Sequence, residues 1–167
     1  MAWAESGLFG YPMQLNTLTG VVGTTYGWLS ASNYFFLTSN SDTIGSTGYA
    51  QTASTLNAYT STYEVSGTGW AAGGIAVSAL AAGPGSLSPS FTVTAGNPTT
   101  IAWAANNVSV ASTTLSNAYG GYFYSNTNSP KYRIIGIYFG GSGYSTTAGT
   151  FAITWSSGDI ATIACAS

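Results

Sequence analysis

The sequence predicts an all-β protein: an antiparallel β-sandwich, jelly-roll or immunoglobulin-like, with an extended N-terminal arm and little helix. Three observations carry this. Short β-branched and aromatic runs recur along the chain, clusters of Gly, Pro, Asn and Ser separate them, and no fixed-period repeat organises them. With 167 residues the chain has room for one domain with a core of its own, read as an arm over residues 1–32 and a sandwich domain over 33–167.

In the arm, Leu8, Phe9, Gly10, Tyr11 and Pro12, then Gly20, Gly23 and Gly27, mix apolar and turn-forming residues without a period. An extended segment with short strands is expected, reaching toward a neighbour. Asn33 to Ser39 is aromatic-rich and runs into the turn-like Ser39-Asn40-Ser41-Asp42, so a strand leading into a loop is expected. Ala50 to Tyr59 has the Ala, Gln and Leu of a short helix, opposed by its Thr and Ser residues. Ile75 to Leu80, Phe91 to Thr94, Thr100 to Trp103 and Val108 to Val110 read as successive antiparallel strands. Ala118 to Ser125 and Tyr132 to Phe139, joined through Asn126 to Pro130, form a hairpin candidate. Thr150 to Trp155 alternates Phe151, Ile153 and Trp155 with polar or small residues, and Ile160 to Ile163 follows the Ser157-Gly158-Asp159 turn as a second hairpin partner. Trp103, Phe151, Ile153 and Trp155 are the expected core.

Charged residues make up 4% of the chain, against about a quarter in average soluble proteins. Seven Phe, twelve Tyr and five Trp argue for a folded rather than a disordered chain. A free monomer relies on interspersed surface charge for solubility, and exposed strand edges are usually guarded by Lys or Glu. A β-rich chain lacking such guards is expected to live in an assembly. Two cations, Lys131 and Arg133, cannot neutralise several phosphates, so nucleic-acid binding is not expected. The longest apolar stretch, Trp70 to Ala82, falls short of a membrane span and is broken by Gly73 and Gly74. No secretory leader is expected from Met-Ala-Trp-Ala-Glu, and Cys165 alone cannot form an internal disulfide. The triplet Asn107-Val108-Ser109 is a glycosylation sequon only formally.

The run from Tyr63 to Ile75, YEVSGTGWAAGGI, is the most specific segment. Gly67, Gly69, Gly73 and Gly74 permit positive φ or close backbone approach, so a tight irregular turn feeding a strand at Ile75 is expected. Glu64 precedes the turn, where its carboxylate is expected to accept hydrogen bonds from backbone N–H groups rather than to do chemistry. This run resembles the NEVSGTGY-x-AGG stretch of small tailed-bacteriophage virion structural proteins. Ile101-Ala102-Trp103 and the segment from Ile134 to Ala164, with its GTFAITW core, are similar to later stretches of the same group in the same order. The similarity covers roughly residues 33 to 164. It implies a virion protein: a capsid decoration (cement) protein bound to the major capsid protein and to copies of itself, a trimer being one form, or else a minor tail or fibre component. The start of the chain departs from the group, and acids common in the group are neutral here, as at Tyr138-Phe139-Gly140.

Catalytic alternatives find little footing. Gly67-x-Gly69-x-x-Ala72 fits a dinucleotide fingerprint in letters alone, because no helix is expected after it and no acid occurs between Glu64 and Asp159. The chain has no histidine, which removes Ser-His-Asp and Cys-His machinery and His-based metal sites. Lys131 follows Pro130 in an expected surface turn rather than a desolvating pocket. Glu5, Asp42, Glu64 and Asp159 show no pairing that suggests glycoside hydrolysis, and Asp159 reads as a turn residue. The expectation is a non-enzymatic module without cofactor or metal. Tyr119, Tyr122, Phe123, Tyr124, Tyr132, Tyr138 and Tyr144 suit cores and interaction surfaces alike, and aromatics beside Asn and Ser also suit sugar stacking, which keeps a glycan-binding fibre module open. An ice-binding protein, suggested by Thr, Ala and Gly richness, lacks a regular Thr-x-Thr array.

Overall fold

A computed structural model of the chain describes residues 7–8, 33–42, 59–76, 90–95, 99–104, 107–126, 131–155 and 159–165. Among them there is no helix, and every strand pairing is antiparallel, so the fold is all-β. The strands are β1 (Gly7–Leu8), β2 (Asn33–Thr38), β3 (Glu64–Val65), β4 (Ile75–Ala76), β5 (Ser90–Thr94), β6 (Thr99–Ala104), β7 (Val108–Ala118), β8 (Gly120–Ser125), β9 (Arg133–Tyr138), β10 (Tyr144–Ile153) and β11 (Asp159–Cys165).

They form three sheets. The largest runs β1-β9-β8-β2-β3, with β4 also paired to β2; β10 pairs β7 in a long ribbon; and β11, β6 and β5 form the third. The β8–β9 hairpin is in place, but the closing hairpin expected between Thr150–Trp155 and Ile160–Ile163 is not. Instead β10 pairs β7 and β11 pairs β6. Alternation along a strand specifies which face is buried, and it does not specify the partner. Val108 to Val110 is likewise the start of an eleven-residue strand whose end, Ala118, the sequence pattern puts at the start of the next one. Gly7 and Leu8, within the arm, pair with Gly136 and Ile135 of the same chain. Residues 50–58 of the helix candidate Ala50–Tyr59, and residues 77–80 and 127–130, lie outside the described residues.

Side chains of β2 and β8 alternate between two buried clusters, as a period of two demands. Phe35, Leu37 and Phe123 face a core shared with Trp70, Leu115, Phe151 and Trp155. Phe36, Tyr122 and Tyr124 face a second cluster, flanked by Tyr34, Tyr59 and Tyr138. Cross-strand rings meet on both sides: Phe35 and Phe123 at 4.7 Å, Phe36 and Tyr122 at 5.3 Å, Tyr34 and Tyr124 at 5.9 Å between centroids. Such pairs set register as well as adding stability. Trp103, Phe151 and Trp155 are buried in the first core. Ile153, expected to be core, is only half-buried, because it ends β10 beside a pocket open to solvent.

Three breaks in register punctuate the β7–β10 ribbon, between Tyr144 and Thr146, Thr146 and Gly149, and Gly149 and Phe151. Among the described residues the three non-glycine positions with positive φ, Asn117 (57°), Ala148 (50°) and Ser112 (56°), fall at these breaks in that order. Each bulge inserts a left-handed residue, which bends and twists the ribbon.

Candidate functional site

The glycine-rich run joins the largest sheet to the ribbon. β3 and β4 lie on one edge of β2, with Val65 opposite Leu37 and Ile75 opposite Phe35, so residues 66–74 leave that edge and return to it. Gly67 and Trp70 exchange backbone hydrogen bonds of 2.9 and 3.0 Å around Thr68 and Gly69, and Gly69 has φ +77°, as the third position of a type II turn requires. The turn reaches β7, where Thr114 N–H donates to Thr68 O at 3.0 Å. A Cβ at Gly67 would collide with the carbonyl of Thr114, and one at Gly74 with the backbone of Phe35. Trp70 is the plug, buried edge-on against Phe35 and Phe151.

Glu64 ties the two ends of this excursion together. Its Oε1 accepts the Gly73 N–H at 2.6 Å, and its Oε2 accepts the Tyr59 hydroxyl at 2.7 Å. Tyr124 donates its hydroxyl to Gly73 O at 2.8 Å and stacks on Tyr59 at 4.6 Å with an interplanar angle of 14°. Lys131 lies over both rings, its Nζ 5.8 Å from Tyr59 and 6.0 Å from Tyr124. Burial, followed by the hydrogen bond to Glu64 and the charge of Glu64, pushes the Tyr59 phenol well above its ordinary value. Burial and then the Glu64 charge raise Tyr124 to about 12. Both phenols therefore stay neutral at physiological pH, and both serve as fixed donors.

A second polar cluster lies on the same side of the sheet. Arg133 and Asp42 form a buried ion pair with Nη2–Oδ2 at 3.3 Å, while the guanidinium stacks 4.5 Å from the centre of the Tyr122 ring. Asp42 also accepts the Thr38 hydroxyl at 3.2 Å. The sequence pattern marks Asp42 only as the end of a turn-like run and Arg133 only as one of two cations. The one local signal was an arginine inside a strand-like run, between Tyr132 and Ile134.

The other residues weighed in the sequence are dispersed. Asp159 starts β11 opposite Ala104 rather than sitting in a turn, and Cys165 ends it opposite Thr99. Asn107 of the formal sequon accepts the Trp155 N–H at 2.9 Å through Oδ1. Lys131 is exposed. Among the described residues no three His, Cys, Asp or Glu side chains gather as a metal site, and no helix is long and apolar enough to cross a membrane. The arrangement at Glu64 clamps backbone, with the Gly73 N–H and the Tyr59 hydroxyl as its donors. No family model, curated protein or solved structure matches the chain.

Proposed function

We propose that this chain is a non-enzymatic virion structural protein of a tailed bacteriophage: a decoration protein that binds the major capsid protein and copies of itself on the assembled head, through its arm and uncharged surfaces. One observation carries the reading. Three of the four described charged side chains are engaged inside the fold, Arg133 with Asp42 and Glu64 with Gly73 and Tyr59. Lys131 alone is exposed among them. A surface nearly free of charge suits permanent contact with a protein neighbour better than a life as a dispersed monomer.

The outward side chains of the β7–β10 ribbon fit this reading. Ser109, Thr114, Ser116, Ser145, Thr147 and Thr150 are exposed and uncharged, along strands of eleven and ten residues. The test is to purify heads lacking tails and measure the protein on them, then to repeat this with residues 1–32 deleted, using circular dichroism to verify that the shortened chain folds. Retention on heads and loss on deletion are expected. Finding the protein on tails alone would overturn the head assignment in favour of a tail or fibre component, a second reading favoured by the exposed ring of Tyr144.

A further inference from the structure

A run of aromatic rings leads from the core to the surface. Trp70 meets Phe151 at 5.6 Å, Phe151 meets Phe139 at 6.4 Å, and Phe139 meets Tyr144 edge-to-face at 6.0 Å and 83°. Its outer end, Tyr144, is 54% exposed although it belongs to strand β10. Beside that ring lies an open pocket of about 230 Å³ lined by Phe139, Tyr144, Phe151, Ala152, Ile153 and Thr154. The platform is held from behind by packed rings, so it is in place before any ligand arrives.

We infer that this pocket binds one ring of a neutral saccharide, its C–H face stacked on Tyr144. Three features select that chemistry. None of the six lining residues is charged, so an ionised ligand would lose water without gaining a counter-charge. The pocket is smaller than the roughly 300–1,000 Å³ of sites that enclose drug-sized ligands, so it fits a single ring better than a peptide or an acyl chain. Tyr144 and Thr154, whose hydroxyls can each donate and accept, line the pocket beside four residues with apolar side chains, a mixture that matches a pyranose with one apolar face and a rim of hydroxyls. The inference does not depend on whether the protein sits on a head or a tail.

The test is saturation-transfer NMR on the full chain with the methyl glycosides of glucose, galactose, mannose and N-acetylglucosamine, one at a time. At least one is expected to bind, with transfer strongest to the protons of one ring face. Tyr144→Ala is expected to weaken that binding roughly tenfold, as for loss of a stacking partner, while Tyr144→Phe retains most of it. Ala152→Phe fills the pocket from an exposed wall position without altering Tyr144, and it is expected to abolish binding with an unchanged thermal midpoint. Absence of binding by all four glycosides, or binding unchanged in both Tyr144→Ala and Ala152→Phe, overturns the assignment.

Discussion

Arg133 and Asp42 lie 91 residues apart in sequence and meet inside the protein, with side chains 3% and 6% exposed and two oxygen–nitrogen contacts of 3.3 and 3.4 Å. The pair pins the loop after β2 to β9, two strands separated in the sheet by β8. In a chain with two cations and four acids, one of each is committed to holding the fold.

Removing one partner leaves the other buried and uncompensated. Asp42→Ala is expected to cost about 3–5 kcal/mol in urea unfolding, and Arg133→Met combined with Asp42→Leu to recover most of that loss, since well-packed apolar replacements of a buried pair are often neutral. A double variant as unstable as the single one would show that the pair does more than neutralise charge.

Glu64 holds the return of the glycine-rich excursion through Gly73 and Tyr59. Glu64→Leu removes both acceptors and is expected to destabilise by about 1–3 kcal/mol, while Tyr59→Phe, which removes one bond, costs about 1 kcal/mol. Hydrogen exchange at the Gly73 amide should quicken in the first variant and change little in the second.

The two raised phenols make stability depend on alkaline pH. In the unfolded chain they ionise near pH 10, whereas folded Tyr124 ionises near pH 12 and Tyr59 is raised as well. Between these values the folded state holds more protons, so stability is full below about pH 10 and falls as pH rises toward 12. Thermal midpoints taken across this window should drop, and the drop should be shallower in Tyr124→Phe.

Two glycines separate steric from conformational demand. Gly140 has φ +109° with open space around it, whereas Gly74 has φ +76° and lies against the backbone of Phe35. Gly140→Ala should cost only backbone strain, about 1–3 kcal/mol, and Gly74→Ala should cost clearly more, as read by denaturant midpoints.

Ala148 carries φ +50° at a bulge of β10, a conformation unfavourable for any residue with a Cβ. Ala148→Gly is expected to raise stability by about 0.5–1 kcal/mol, the relief of strain exceeding the added freedom of the unfolded chain. An unchanged or lower midpoint would mean that the bulge is not strained.

Local pattern was enough for much of the fold and for part of the site. The alternation of Phe151, Ala152, Ile153, Thr154 and Trp155 already marks a strand with one buried face, and the spacing of Gly67, Gly69, Gly73 and Gly74 after Glu64 already marks an irregular turn with a carboxylate at its root. These signals are readable because a strand's period and a glycine's φ are properties of the chain within a few residues. Pairing is not. That β10 lies against β7 rather than β11, that Asp42 reaches Arg133, and that Tyr59 stacks on Tyr124 above Glu64 each join segments whose separate patterns fit other partners equally well. The sequence alone determined a charge-poor, antiparallel β protein. Only the tertiary structure decided where Asp42, Glu64 and Arg133 went, because burying a charge requires a partner that no local pattern names.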